Sequence, residues 1–208
     1  MANAFLIGIR TTAVTLLLTG IIYPLAVTGL ARVLFPGPAD GSLRQDDRGT
    51  VVGSSLIGQG FKNPGYFQPR PSAAGENGYD ATASSGSNLG PTSRKLKDRA
   101  ATEFERLRAR NPDAPEPVPS ELVTASASGL DPHLSPAAAL WQVPRIARAR
   151  GIAAARIRAV LISAIEGRDM GFLGEPRVNV LRVNVALDRQ FGRPAATPRL
   201  GRAGKKTR

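Results

Sequence analysis

The sequence predicts an α+β protein: a single transmembrane helix near the amino terminus, then one domain packing helices against a small sheet. Three observations predict it. Residues 11–31 carry no charge. The segments that follow read as helices and short strands without regular alternation, which speaks against a doubly wound parallel sheet. Hydrophobic residues make up 42% of the 208, enough for one packed core and too many for wholesale disorder. The expected organisation is an anchor over residues 1–34, a domain over 35–190 and a basic tail over 191–208.

The apolar run comes first. Twenty-one residues, flanked by Arg10 and Arg32, cover about 31 Å at helical rise, the thickness of a bilayer core. Pro24 lacks an N–H, and its ring clashes with the carbonyl of Gly20, so a kink is expected mid-span. Thr15, Thr19, Gly20, Thr28 and Gly29 are small enough for another helix to approach closely. Gly29-Leu30-Ala31 matches a small-x-small cleavage pattern. The apolar region is nevertheless longer than the roughly 7–15 residues of a signal peptide, which favours a retained anchor. The amino terminus and Arg10 on one side stand against Arg32 on the other, with Arg44 and Arg48 further along beside Asp40, Asp46 and Asp47, so charge leaves the orientation open.

Pro36, Gly37, Pro38 and Gly41 then end the helix. Residues 50–57 lean towards strand, interrupted by Gly53. Residues 61–93 are rich in Gly, Ser, Asn and Pro, a loop long enough to suggest a functional or partner-binding role. Leu96, Ala100, Phe104 and Leu107 recur at helical spacing, and the pairs Glu103–Arg106 and Glu105–Arg108 support a solvated helix face. A proline-rich break covers 111–119, and residues 122–127 look like a short strand. Ser135 and Pro136 make a good helix start, with Pro144 interrupting or kinking the helix before Gly151 closes it. A third helix is expected over 153–166, carrying Ile157, Val160, Leu161, Ala164 and Ile165 on one face and ending at Gly167. Residues 178–187, VNVLRVNVAL, form the clearest strand. Leu181, Val183, Val185 and Leu187 face one way there, Arg182 and Asn184 the other. Beyond Phe191 come six basic residues and no acidic one, a pattern expected to be disordered.

Lys and Arg number 28 against 16 acids, a net charge of +12. That balance favours anionic neighbours: headgroups, nucleic acid or an acidic protein. The absence of cysteine removes disulfides, thiol catalysis and iron–sulfur clusters, and with a single histidine, His133, also zinc fingers. Neither a phosphate-binding P-loop nor a dinucleotide fingerprint is present, nor the phosphorylation motif of P-type ATPases, nor a potassium-channel filter. Aromatic residues are not interleaved with the basic ones, so nucleic acid is not an expected partner. Ser126, Ser128, Asp131 and His133 suggest a serine-hydrolase triad, and an anchored hydrolase using Ser128, Asp131 and His133 is the alternative function. The simpler account is a turn with Asp131 fixed before Pro132, because short spacing does not supply triad geometry. Ser84, Ser85, Gly86, Ser87 and Asn88 offer hydroxyls and backbone N–H groups just before a helix, a possible phosphate cradle. No Lys or magnesium ligand accompanies them, which favours a capped turn shaping a protein contact.

Several ordered motifs carry a resemblance. They run from Gly53-Ser54-Ser55-Leu56-Ile57-Gly58-Gln59 through Phe61, Pro64, Tyr66-Phe67 and Arg70-Pro71-Ser72 to Tyr79-Asp80. They continue with Gly86-Ser87-Asn88-Leu89-Gly90-Pro91-Thr92, Leu122-Val123-Thr124-Ala125-Ser126, Ser128-Gly129-Leu130-Asp131-Pro132-His133 and Gln142-Val143. Gly167-Arg168 and Gly171-Phe172-Leu173-Gly174-Glu175-Pro176-Arg177-Val178-Asn179-Val180 complete the set. Together they resemble the KdpC family, the C subunits of Kdp-type potassium-transporting P-type ATPases, over about residues 1–190.

The resemblance implies a non-catalytic accessory subunit of a bacterial complex that hydrolyses ATP to import K⁺. Its implied partners are a channel-like subunit, a P-type ATPase subunit, a small single-span subunit and the bilayer. ATP enters through the complex, and K⁺ is the transported ion, with nothing in the sequence that assigns its binding to this chain. The implied place is the inner membrane, single-pass, with the domain outside the cytoplasm. Tyr66, Phe67, Arg70, Asp131 and His133 become partner-contact candidates. The family is described as a catalytic chaperone that raises ATP affinity through a Gln-preceded Ser-Gly-Gly-Ser stretch. Here Ala83 replaces the Gln and Ser85 the first Gly, which weakens a literal transfer to residues 84–88. A domain outside the cell cannot touch cytosolic ATP, so such an effect has to travel through the membrane subunits. The alternative is a structural role over the K⁺ entrance.

Overall fold

The computed structural model describes residues 2–195 of the chain. It is α+β and divides into two compact units, one ending at Leu43 and the other beginning at Arg44.

The first unit is built on helix α1 (Ala2–Leu17), a π-helical turn (Leu18–Ile22) and α2 (Tyr23–Leu34), followed by the single turn α3 (Pro36–Ala39). Pro24 does not break the helix. The preceding turn widens instead: Tyr23 N–H donates to Leu18 O, five residues back, at the position where the proline ring would meet the Gly20 carbonyl. The Thr19 hydroxyl donates to Thr15 O at 2.7 Å. From Asn3 to Leu34 this is one helix long and apolar enough to cross a membrane, and no residue in its most apolar stretch is buried.

The boundary falls one residue into strand β1 (Leu43–Gln45), which pairs with β2 (Val51–Ser54). No helix or strand follows until α4 (Arg94–Arg110). Ser93 caps α4 by accepting from Leu96 N–H. A three-residue 3₁₀ turn at Ser120–Leu122 occupies the start of the stretch expected to be a strand. Strand β3 (His133–Leu134) leads into α5 (Pro136–Arg150), which runs unbroken past Pro144 and stops at Gly151, φ 65°. Its start is capped by the Ser135 hydroxyl, which accepts from Ala138 N–H at 3.2 Å and donates to Glu121. Helix α6 (Ala154–Ser163) is shorter than expected: Ile165 and Glu166 leave it to form β4 (Ile165–Glu166). Strand β5 (Arg177–Asn179) lies between β3 and β4, antiparallel to both, with Val178 opposite Leu134 and Ile165.

The largest correction concerns residues 178–187. The strand ends at Asn179, and Val180–Phe191 is helix α7. Asn179 caps it by accepting from Arg182 N–H at 3.1 Å. Buried positions 180, 181, 183, 184 and 187 follow the helical period, and Arg182 is exposed. VNVLRVNVAL satisfies both periods, so alternation alone does not discriminate. The valines' weak helix propensity, a few tenths of a kcal/mol each, is small beside the burial of Val183 and Leu187, neither of which is solvent-exposed.

The core lies where α5, α6 and α7 cover the three-stranded sheet, around Leu134, Val143, Ile146, Ile157, Leu161, Val178, Val183 and Leu187. Phe67, from the long loop, is fully buried in it. Residues 192–195 are held against the same unit, since Arg193 pairs with Asp46 at 2.6 Å and Ala195 O accepts from Asn63. The rest of the expected basic tail, 196–208, lies outside the described residues.

Helix α7 makes the face assignment testable. Leu187→Ala should cost about 2–5 kcal/mol. Val185→Ala, half-buried and a better helix former, should cost less than about 1 kcal/mol. Denaturant unfolding of the detergent-solubilised full chain measures both, and equal losses would restore the strand assignment.

Candidate functional site

The long loop between β2 and α4 carries most of the residues singled out in the sequence. It has no sheet partner, yet it is tightly held. Phe67 N–H donates to Asn184 Oδ1 at 2.8 Å, and Asn184 Nδ2 donates back to Phe67 O at 3.0 Å. Gln142 repeats the pattern one residue on: Gln68 N–H donates to its Oε1 at 2.8 Å, and its Nε2 donates to Gln68 O at 2.9 Å. Two side-chain amides, from α7 and α5, thus serve as a substitute strand for buried backbone.

Two arginines complete the strap. Arg145 donates to the carbonyls of Pro64 and Tyr66 and to Gln142 Oε1. Burial, with Arg110, Arg106 and Arg148 nearby, lowers its pKa to about 10, so it remains charged at neutral pH and is solvated by carbonyl dipoles. The Arg150 guanidinium donates to Gly65 O and Gly192 O at 2.7 Å and to Asp188 at 2.8 Å, and it stacks 5.1 Å above the Tyr66 ring. The Tyr66 hydroxyl donates to Asp188 at 2.7 Å. Burial and that carboxylate raise the phenol to about 12.

The next part of the loop docks on the turn 126–129. Ser72 Oγ donates to Gly129 O at 2.6 Å and accepts from Tyr79 N–H at 2.7 Å. Tyr79 Oη donates to Arg70 O, and burial raises its pKa to about 12. Ser84 Oγ donates to Ser128 O at 3.0 Å, and a Cβ on Gly86 would stand 2.7 Å from Ala127 O. The structure therefore brings the Gly/Ser stretch and the Ser126–His133 stretch together as two halves of one contact. Ser85 and Asn88 remain exposed on it. The N-terminus of α4 does not begin at the stretch, because Ser93, five residues beyond Asn88, caps it.

No triad assembles. Ser128 Oγ accepts from Leu130 N–H at 3.1 Å, closing a local turn. His133 Nε2 lies 3.4 Å from the Asn179 amide, which itself donates to Ser55 O at 2.7 Å. His133 Nδ1 sits 3.7 Å from Asp131 Oδ1, which accepts from His133 N–H at 2.9 Å, while Asp131 Oδ2 pairs with Arg70 at 3.4 Å. Among the described residues no hydrogen bond joins His133 to Ser126 or Ser128. Burial lowers the histidine pKa. Asp131 and Glu166 oppose the shift, and Arg177 and Arg182 reinforce it. No group of three or more acidic or histidine side chains is placed to hold a metal among the described residues.

Of the partner-contact candidates, Phe67 is at 0% exposure and packs in the core of the domain. Tyr66, Arg70, Asp131 and His133 are half-buried: Tyr66 is committed to Asp188, Arg70 reaches Asp131 while its Nε has no partner among the described residues, and His133 lies against Asp131 and Asn179. Sequence reasoning missed the strap. Alternation places Asn184 on the outer face, and Gln142 stands only within a motif. An amide within a buried helical face is the signal that marks both.

The chain matches the family model described as KdpC: K+-transporting ATPase, c chain, over residues 5–189. It is 65% identical over 202 residues to a potassium-transporting ATPase KdpC subunit of Myxococcus xanthus, covering 97% of this chain and 95% of that one. It is 53% identical over 186 residues to the KdpC subunit of Nitratidesulfovibrio vulgaris, covering 88% and 94%. The KdpC subunit of a Caulobacter species is 54% identical over 174 residues, covering 84% and 87%.

Two consequences are measurable. Gly129 has φ +69°, and a Cβ there would stand 2.5 Å from Ser85 O and 2.7 Å from Ala74 N. Gly129→Ala should therefore displace the Gly/Ser stretch and cost about 2–4 kcal/mol in denaturant unfolding. The neutral His133 ring contributes stability present above its unfolded value near 6.5 and lost as pH falls below it, because the unfolded chain then binds the extra proton. The unfolding midpoint should drop between pH 7 and pH 5, and His133→Gln should flatten that drop.

Proposed function

The chain belongs to the KdpC family of K⁺-transporting ATPase c chains, and on that premise we propose that it is an accessory, non-catalytic subunit of an ATP-driven K⁺-import complex. Its helix Asn3–Leu34 anchors it in the bilayer, and its α+β domain lies outside the cytoplasm against the channel-like and ATPase subunits. The observation that carries this is 65% identity to a potassium-transporting ATPase KdpC subunit along 97% of the chain. The exposed apolar helix supports it physically, because such a surface needs lipid or a partner helix to cover it.

The Gly/Ser stretch 84–88 serves as a protein contact, and the chain acts by holding its partners in register. The geometry supports this: the Ser84 hydroxyl is committed to Ser128 O, Gly86 faces Ala127 O, and the nearby helix end is capped by Ser93. A rise in the ATP affinity of the ATPase subunit is then a coupling free energy. Partner contacts that differ between its states transmit it, with no nucleotide on this chain.

A chain without cysteine gives a clean test of side. Exposed Ser85, changed by Ser85→Cys, supplies a single thiol for a membrane-impermeant maleimide. Labelling of intact cells is the expected outcome, together with co-purification of the two large subunits. Labelling only after permeabilisation would place the stretch inside and restore direct nucleotide contact.

A further inference from the structure

Between β4 and β5 the chain turns back through Arg168–Glu175 and presents three large apolar side chains to solvent. Met170 is 85% exposed, the most exposed large apolar residue described, Phe172 is 69% exposed and Leu173 49%. The turn is braced. Asp169 and Leu173 exchange backbone hydrogen bonds at 2.9 Å in both directions. Arg168 pairs with Glu175 at 2.8 Å, and Arg177 grips Asp169 through two bonds of 3.2 Å. Met170 is held at φ +52°, a conformation that costs a side-chain-bearing residue and that stability alone does not require. Exposing this much apolar surface on a fixed turn gains the isolated chain nothing; it makes sense as an anchor prepared for a socket.

The charges say which kind of socket. A loop that inserts into lipid headgroups sets free cations beside its apolar residues. Here each cation at the base of the turn is matched: Arg168 by Glu175, Arg177 by Asp169 and Glu166, and Arg182 by Glu166. The chain carries +12 overall, yet this rim is close to neutral. An apolar centre inside a neutral, paired rim is the anatomy of a protein–protein contact. Phe172, 69% exposed, alone offers roughly 100–170 Å² to a partner.

We propose that the Met170–Leu173 turn is a docking anchor that inserts Phe172, flanked by Met170 and Leu173, into an apolar socket on another subunit of the same ATPase. The proposal rests on the accessory-subunit reading above and adds the surface through which it is exercised.

The test uses the full-length chain expressed with its complex in native membranes. Phe172→p-benzoylphenylalanine supplies a photo-cross-linker at the anchor. Irradiation should join the chain to one other subunit of the complex. Adducts with lipid only, with a second copy of this chain, or with no protein would overturn the proposal. Independently, the pair Phe172→Ser and Leu173→Ser should lower the amount of this chain retained in the detergent-purified complex by about tenfold or more. The unfolding midpoint of the purified chain should not change, and Phe172→Leu should restore much of the retention. Full retention by the double variant would sink the anchor while leaving the accessory-subunit reading intact. A wild-type chain that failed to co-purify would end both.

Discussion

Buried backbone must be hydrogen-bonded, and this domain meets that constraint for its long loop with side chains. Once Phe67 enters the core, the N–H and C=O groups around it lose water, and each left unpaired would cost about 1–3 kcal/mol. A sheet would supply partners from a neighbouring strand, but the three-stranded sheet here is occupied and short. Asn184 and Gln142 take the role instead, each giving one donor and one acceptor to a single residue of the loop. Much of the domain depends on that substitution.

Its consequences spread outwards through charge. Arg145 is solvated by the carbonyls that the strap leaves over, so it stays a cation deep in the domain with no carboxylate partner among the described residues. Arg150 gathers the loop, α7 and the segment after α7 onto one guanidinium, whose planar fork offers several fixed donors at once. With residues 64–68 fixed, the chain downstream is positioned to fold back on the 126–129 turn. The Gly/Ser stretch is therefore a supported surface and not a loose tether.

Among the described residues, buried side-chain polar groups find partners except Asn111 Oδ1 and the Nε atoms of Arg44, Arg70 and Arg99, while large apolar groups outside stay uncovered. The long N-terminal helix buries none of its most apolar stretch, and the Met170–Leu173 turn exposes most of its apolar surface. A chain that spends buried amides and arginines on ordering a loop, yet leaves these surfaces open, is built for surroundings that cover them. On the accessory-subunit proposal, the bilayer and neighbouring subunits are those surroundings.

The parts legible in the sequence were those set by local chemistry. Residues 11–31 announced a helix long enough for a bilayer because charge is absent there, Ser135-Pro136 marked a helix start because a hydroxyl cap and a preset φ act locally, and the ordered motifs identified the family. Pro24 signalled a perturbation in the right place, although its form, a widened turn, depended on neighbouring backbone relaxing. Tertiary structure decided what alternation could not. VNVLRVNVAL fits two periods, and only the core beside it selects the helix that turns Asn184 from an apparent surface residue into the loop's partner. It likewise gave His133 and Ser128 different hydrogen-bond partners and buried Phe67, because burial and pairing are properties of where distant segments meet, and residue order alone carries no such distance.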